Sequence, residues 1–312
     1  MKAVVYRAYG PPSVLHLTEL ARPVPKPGEV LVRVYASTVT AGTVWLRRGV
    51  FPGFWPFTVA LRLMAGLFCP RRPILGAEFS GVVETTGDGV TTLRPGDAVY
   101  GTTTGLRQGA YAEYVCVPVS GGSGVLALKP APLTFAEAAA LPVGGMTALA
   151  LLRKAALQPG QSVLIYGASG SVGTYAVQLA SYLDASVTGV CSTANVALVR
   201  SLGADAVLDY TQTNLTQLGS RFDVVVDAVG KLPSSCRKGL LTKNGRFVSV
   251  MSMTRERTRY LDTLHGIVEE GRLRPVIDQV YPLDQIVAAH AYVDSGRKKG
   301  NVVVEIAAAM SR

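Results

Sequence analysis

The stretch GASGSVG, Gly167 to Gly173, follows the apolar run SVLIY (Ser162–Tyr166) and precedes TYAVQLASYL, whose apolar spacing is helical. A strand, a glycine turn and a helix form the shape that receives a dinucleotide pyrophosphate. In that turn one glycine makes a tight bend, the second lets the backbone approach the phosphates, and the third lets the helix pack closely on the strand. Here the pattern reads Ala168-x-Gly170-x-x-Gly173, with alanine where the fingerprint usually begins with glycine. Glycine turns also join strands to helices with no ligand. The strand before, the helix after and the surrounding βαβ pattern favour the cofactor reading, since a helix N-terminus offers unpaired amides and a positive dipole end to an anion.

The next strand, SVTGVC, leads into Ser192, Thr193, Ala194 and Asn195 and carries no acid at its end. An NAD site uses an Asp or Glu near this position for the ribose hydroxyls. A 2′-phosphate would be repelled by a carboxylate, and could instead accept hydrogen bonds from Ser192, Thr193 and Asn195. The same residues could simply cap the following helix. The loop itself has no arginine, Arg200 lying a helical turn or more beyond. NADPH is therefore expected over NADH.

Working outward, residues 1 to about 120 carry short strand-like runs, among them KAVVYR, EVLVRVYAS, EFSGVVETTG, DAVYGTTT and AYAEYVCVP. Turn signals separate them: KPGE, GDG, RPGD and GGSG. Pro95-Gly96 predicts a type II turn, because glycine accepts the positive φ at the third position. Such spacing suggests a small barrel or sandwich. Thr134-Phe-Ala-Glu137 matches a capping box opening a helix. From Ser162 strands and helices alternate, and near-continuous apolar strands such as FDVVVDAV imply a parallel sheet covered on both faces. The expected architecture is α/β. One domain spans 1–128 with 275–312, and a doubly wound domain spans 129–274.

At 312 residues the chain is long enough for two domains. Its net charge is 31 − 21 = +10, but the basic residues fall in short groups without an aromatic platform, so nucleic acid is not expected as a partner. Cys69, Cys116, Cys191 and Cys236 are far apart and form no CxxC pair, which fits a reducing cytoplasm. The N-terminus lacks a signal-peptide core. Residues 57–68 are interrupted by Arg62 and fall short of the ~20 residues a membrane span needs, so no membrane partner is expected.

The chain resembles the medium-chain dehydrogenase/reductase superfamily, and within it the zinc-free quinone-oxidoreductase branch. The resemblance runs almost end to end, through MKAVVYRAYGPPSVLHLTE, PKPGEVLVRVYAS, PILGAEFSGVVE, LRPGDAVYG, GAYAEYVCVP, LTFAEAAALPVGGMTAL, LQPGQSVLIYGASGSVGTYAVQLA, LVRSLGADAVLDYT and FDVVVDAVG. It implies a GroES-like barrel domain and a Rossmann domain with NADPH between them. It also implies hydride transfer to a quinone or to the activated double bond of an enal or enone. The alanine form of the glycine turn is usual in this branch. By the same resemblance Ser169, Gly170, Ser171, Val172 and Gly173 would cradle the pyrophosphate, and Ser192, Thr193 and Asn195 would meet the adenosine phosphate. Tyr210 would pack by the adenine, while Val229, Gly230 and Thr147 would line the nicotinamide end. Simple packing is the alternative for each.

Zinc relatives of this superfamily carry a catalytic Cys, a GHE histidine and a four-cysteine lobe. Here Gly76-Ala77-Glu78 replaces GHE, and His16, His265 and His290 are scattered. No metal is expected, and Glu78 reads as a strand residue with a local partner. Where the branch often has Asn-Pro-x-Asp, this chain has Thr40-Ala41-Gly42-Thr43. Thr40 and Thr43 could orient a carbonyl or relay a proton, or form a turn. The aromatic-rich insert from Phe51 to Arg72, with Phe54, Trp55, Phe57 and Phe68, could wall a pocket for a small apolar or aromatic substrate, or bury its own rings. Between Met253 and Leu261 no strand pattern appears, so a five-stranded or altered sheet edge and a monomer or atypical homodimer are expected. Two other functions stay open: an NADPH-binding or sensor protein without turnover, and an enoyl reductase acting on a carrier-bound acyl chain.

Overall fold

The computed structural model describes residues 1–51, 55–103, 107–120, 124–252 and 254–307, so Phe54, Met253 and most of the GGSG turn lie outside the described residues. The chain divides into two units, Met1–Pro142 with Ile277–Arg312, and Val143–Val276.

In the first unit, β1 (Lys2–Val5) and β2 (His16–Glu19) form an antiparallel ribbon. The organising strand is β3 (Glu29–Thr38), followed by helices α1 (Ala41–Arg48) and α2 (Trp55–Ala65) and strands β4 (Glu78–Thr86), β5 (Ala98–Thr102), β6 (Tyr114–Pro118) and β7 (Leu126–Leu128). One edge of β3 pairs with β4 and its other edge with β6 at Glu29–Arg33, all antiparallel. Nine of its ten residues are buried, so β3 reads as a continuous apolar run rather than an alternating one. Gly81 is fixed by this pairing, because a Cβ there would stand 2.0 Å from the Arg33 carbonyl oxygen. The RPGD turn forms as expected: Gly96 has φ +95° and the Asp97 amide donates to the Arg94 carbonyl at 3.1 Å. So does the capping box of α3 (Phe135–Ala140), with Thr134 and Glu137 each satisfying the other's amide.

The second unit opens with most of α4 (Pro142–Lys154) and alternates β8 (Ser162–Tyr166), α5 (Ser171–Tyr182), β9 (Ser186–Cys191), α6 (Val196–Ser201), β10 (Ala206–Asp209), β11 (Phe222–Asp227), α7 (Ser234–Leu240), β12 (Leu241–Ser249) and α8 (Thr258–Glu269). All strand pairs are parallel, in the order β10-β9-β8-β11-β12. This is the order of the dinucleotide-binding sheet up to its fifth strand. Among the described residues no strand lies between β12 and α8.

The tail returns to the first unit as β13 (Ile277–Pro282), α9 (Ile286–Asp294) and β14 (Asn301–Glu305), with β14 antiparallel to β3 at Ala36–Thr38. Helix α9 brings a polar group into the apolar core. His290 is fully buried, its Nε2 3.2 Å from the Tyr111 hydroxyl, which donates to the Thr38 carbonyl at 3.0 Å. Arg47, equally buried, pairs with Asp294 at 2.6 Å.

Burial, reinforced by Arg47, pushes the His290 imidazole down to about 3. The unfolded chain therefore takes up this proton near pH 6.5, while the folded chain resists it until about pH 3. His290 thus removes stability as pH falls through that window, by up to about 5 kcal/mol. Urea unfolding should lose more free energy between pH 7 and pH 4 in the wild type than in His290→Gln. Equal losses would show that the buried imidazole is not the titrating group.

Candidate functional site

The end of β8 supplies the turn. Gly167 takes φ +78°, its amide and that of Ala168 both donate to the Val190 carbonyl at 3.0 Å, and the Gly170 amide donates to the Gly167 carbonyl at 3.0 Å. The tight bend therefore falls at Gly167. Ala168 is fully buried, and its Cβ would lie 3.1 Å from any Cβ placed on Gly189. An alanine fits at the start of the motif because the residue before it makes the bend.

The two remaining glycines are explained differently. A Cβ on Gly173 would stand 2.1 Å from the Gly167 carbonyl oxygen, so glycine there is demanded by packing. A Cβ on Gly170 would meet only that oxygen at 3.4 Å and Val229 at 4.0 Å. Among the described residues nothing requires glycine at 170, and its φ of −80° suits any residue. The space above it lies at the N-terminus of α5, whose N-cap Gly170 gives no side-chain hydrogen bond to the first turn, Ser171 to Gly173. An open backbone surface on a helix dipole fits a pyrophosphate.

Two flanks converge on this turn. From the β9 end, Asn195 Nδ2 donates to Ser169 Oγ at 3.0 Å and to Ser192 Oγ at 3.3 Å, while its buried Oδ1 has no hydrogen-bond partner among the described residues. From the β11 end, Val229 packs over Gly167, where a Cβ would come within 2.6 Å of it. Asp227, fully buried, fixes that loop by accepting the amides of Val229, Gly230, Lys231 and Leu232 at 2.8–3.3 Å. Gly230 has φ +72°. Ser169–Gly173, Asn195 and the Val229–Gly230 loop are thus the residues that could together hold a dinucleotide.

Other expected residues are less engaged. Tyr210 is half-exposed and bonded to the Cys191 carbonyl through its amide. Thr147 sits on α4, a helix that approaches Ser171 at Gly144. Two acids were not anticipated. Asp227 was hidden inside FDVVVDAVG, where its position at a strand end facing a glycine loop was the available signal. Asp209 ends β10 opposite Cys191, so the carboxylate absent from the β9 end arrives from the neighbouring strand. It accepts the Thr193 hydroxyl and the Thr211 amide and hydroxyl, and these hydrogen bonds, Thr193's foremost, hold it below the usual carboxylate range. Thr193 therefore spends its proton on Asp209.

In the first unit, Thr40 and Thr43 form the capping box of α1: Thr40 Oγ1 accepts the Thr43 amide at 3.1 Å and Thr43 Oγ1 accepts the Thr40 amide at 3.0 Å. Their turn-forming role is what the structure displays. Glu78 is buried and accepts the Thr38 hydroxyl, the local partner anticipated for it. Of the insert's aromatics, Phe51 lies 4.8 Å from Trp45 and 5.4 Å from Phe57 between ring centroids, while Trp55 and Phe68 face solvent. Met64 and Ala65 share a cavity of about 290 Å³ with Tyr6, Leu46, Arg71, Arg72, Arg107 and Gln108. Among the described residues no group of three or more His, Cys, Asp or Glu side chains could hold a metal ion.

Known proteins match this arrangement. The family model for an alcohol dehydrogenase GroES-like domain matches residues 26–128, and two models described as zinc-binding dehydrogenase match residues 171–275 and 249–304. The chain is 34% identical to a 2-methylene-furan-3-one reductase of Solanum lycopersicum, covering 97% of this chain and 79% of that protein. It is 31% identical to a chloroplastic NADPH-dependent alkenal/one oxidoreductase of Arabidopsis thaliana, with the same coverage. A quinone oxidoreductase from Coxiella burnetii has a similar structure, with TM-score 0.84, 28% identity, and 98% and 99% of the two chains covered.

The two glycines separate packing from ligand binding. Gly173→Ala should cost about 1–3 kcal/mol of stability by overpacking. Gly170→Ala should melt like the wild type yet bind dinucleotide at least several-fold more weakly, as measured by nucleotide titration. Unchanged affinity in a folded Gly170→Ala protein would mean the open surface is not the phosphate site.

Proposed function

The chain belongs to the medium-chain dehydrogenase/reductase superfamily, in its quinone oxidoreductase-like branch, and from that premise we propose an NADPH-dependent reductase that transfers hydride to a quinone or an α,β-unsaturated carbonyl. The observation that carries this reading is the open Gly170 surface at the start of α5, bounded by Asn195 and by the loop that Asp227 holds. Bound NADPH supplies the hydride. The protein's part is to orient the cofactor and exclude water: the first-turn amides of α5 take the pyrophosphate, and Ser192 and Asn195 offer polar atoms beside the adenosine end. Val229 and Gly230 fix the chain where the nicotinamide end would lie. Relatives named for NADPH, alkenals and quinones support this choice of cofactor and acceptor.

Zinc independence belongs to the same proposal and rests on Gly76-Ala77-Glu78 and on the scattered histidines. The proposed acceptor is small and apolar or aromatic; Tyr6, Leu46 and Met64 line the first unit's cavity, together with Arg71, Arg72, Arg107 and Gln108. The four cysteines are free thiols, which supports a cytoplasmic setting. The sheet's end at β12 supports a monomer or an atypical homodimer.

Consumption of NADPH and NADH should be followed with a benzoquinone, a naphthoquinone and a 2-alkenal. Oxidation with NADPH well above NADH, undiminished after dialysis against a chelator, is expected. Asp209→Asn should widen the preference for NADPH by removing a fixed negative charge beside Thr193. NADPH binding without turnover of any acceptor would point to a nucleotide-binding protein, and chelator-sensitive turnover would overturn the zinc-free mechanism.

A further inference from the structure

Helix α2 presents the wrong face to water. Thr58, Leu61 and Ala65 turn inward, and Arg62 is drawn in with them, its Nε donating to the Gly49 carbonyl at 2.9 Å and its guanidinium 4.9 Å from the Tyr9 ring. The outward positions are apolar. Trp55 is 75% exposed, Leu63 and Met64 57% each, and Phe68, just beyond the helix, 87%. Val59 and Leu67 extend the same surface. A contiguous exposed apolar face of this kind marks an interaction site rather than ordinary surface.

Residues 30–77 contain no Asp or Glu and six arginines; Arg47 and Arg48 pair with Asp294 and Arg62 is turned inward, which leaves Arg71 and Arg72 as exposed charges beside this face. Arg71 and Arg72 are exposed immediately after the apolar surface. No helix among the described residues is long and apolar enough to cross a membrane, and α2 has 11 residues. A short helix with an outward apolar face, an exposed tryptophan and arginines at its margin suits the headgroup boundary of an anionic bilayer. A second copy suits it less, because in an isologous contact the patch meets itself, and this patch offers Arg71 and Arg72 no acid.

We propose that α2 and the segment through Arg72 form a docking surface for an anionic lipid bilayer, on which the protein lies without spanning it. This replaces the expectation, drawn from the Arg62 interruption and the shortness of the run, that no membrane is a partner. It does not depend on the reductase reading.

The full chain would be mixed with vesicles of phosphatidylcholine plus phosphatidylglycerol, or of phosphatidylcholine alone, and followed by co-sedimentation and tryptophan emission. The chain has two tryptophans, so Trp45→Phe isolates Trp55. Binding to the anionic vesicles with a blue shift of Trp55 is expected, weakened by salt and nearly absent on the neutral vesicles. Arg71→Ser with Arg72→Ser should weaken binding about thirtyfold, and Trp55→Ser with Phe68→Ser should abolish the anchoring, with circular dichroism reporting the fold of each. Should the apolar pair fail to fold, the arginine pair decides the matter. No binding to anionic vesicles, or binding indifferent to the arginine pair, would overturn the proposal. So would concentration-dependent dimerisation that the same variants abolish, since the face would then be occupied by a second copy.

Discussion

The second unit turns on one close approach: the backbone of Gly173 in α5 lies so near the Gly167 carbonyl that no side chain fits between them. This contact sets the first turn of α5 directly on the strand end, which aims its amides at the space over Gly170. The flanks are then fastened by polar atoms. Asn195 ties the β9 loop to Ser169, and Asp227 gathers four amides of the β11 loop around one carboxylate. A helix standing farther out would leave both flanks without a turn to meet. Burying the Asp227 carboxylate is tolerable only because its amide bonds replace water.

Much of this was legible in the sequence, because strand period, glycine spacing and turn chemistry are local signals. The alternation after Ser162, the RPGD turn and the Thr134 capping box formed as the residues predicted. The tail could be expected to rejoin the first unit, and it does so through β14 along the free edge of β3. The five-stranded sheet was foreshadowed by a missing pattern before Leu261. What was not legible depended on neighbours distant in the chain. Ala168 looked like a defect until the bend was found one residue earlier, at Gly167. The acid-free end of β9 suggested a site for a 2′-phosphate, yet parallel pairing sets Asp209 of β10 beside it. Thr40 and Thr43 carried two possible roles, and the hydrogen bonds at the start of α1 display the structural one.

The first unit shows a different compromise. Its core admits Arg47, His290 and Tyr111, all fully buried. Each ties one element to another: Arg47 of α1 to Asp294 of α9, His290 of α9 to Tyr111, and Tyr111 to the end of β3. A buried ion pair contributes little net stability but penalises a wrong arrangement heavily. On the same unit's surface α2 draws Thr58 and Arg62 inward with Leu61 and Ala65 while Trp55, Val59, Leu63 and Met64 face water.

The most direct test of the account is amide hydrogen exchange with and without NADPH. Saturating NADPH should slow exchange in the second unit at Gly167–Thr174, at Ser192–Asn195 and along Val229–Leu232. Protection that leaves the first turn of α5 untouched, or no protection at all, would contradict the claim that this turn was built to hold a dinucleotide.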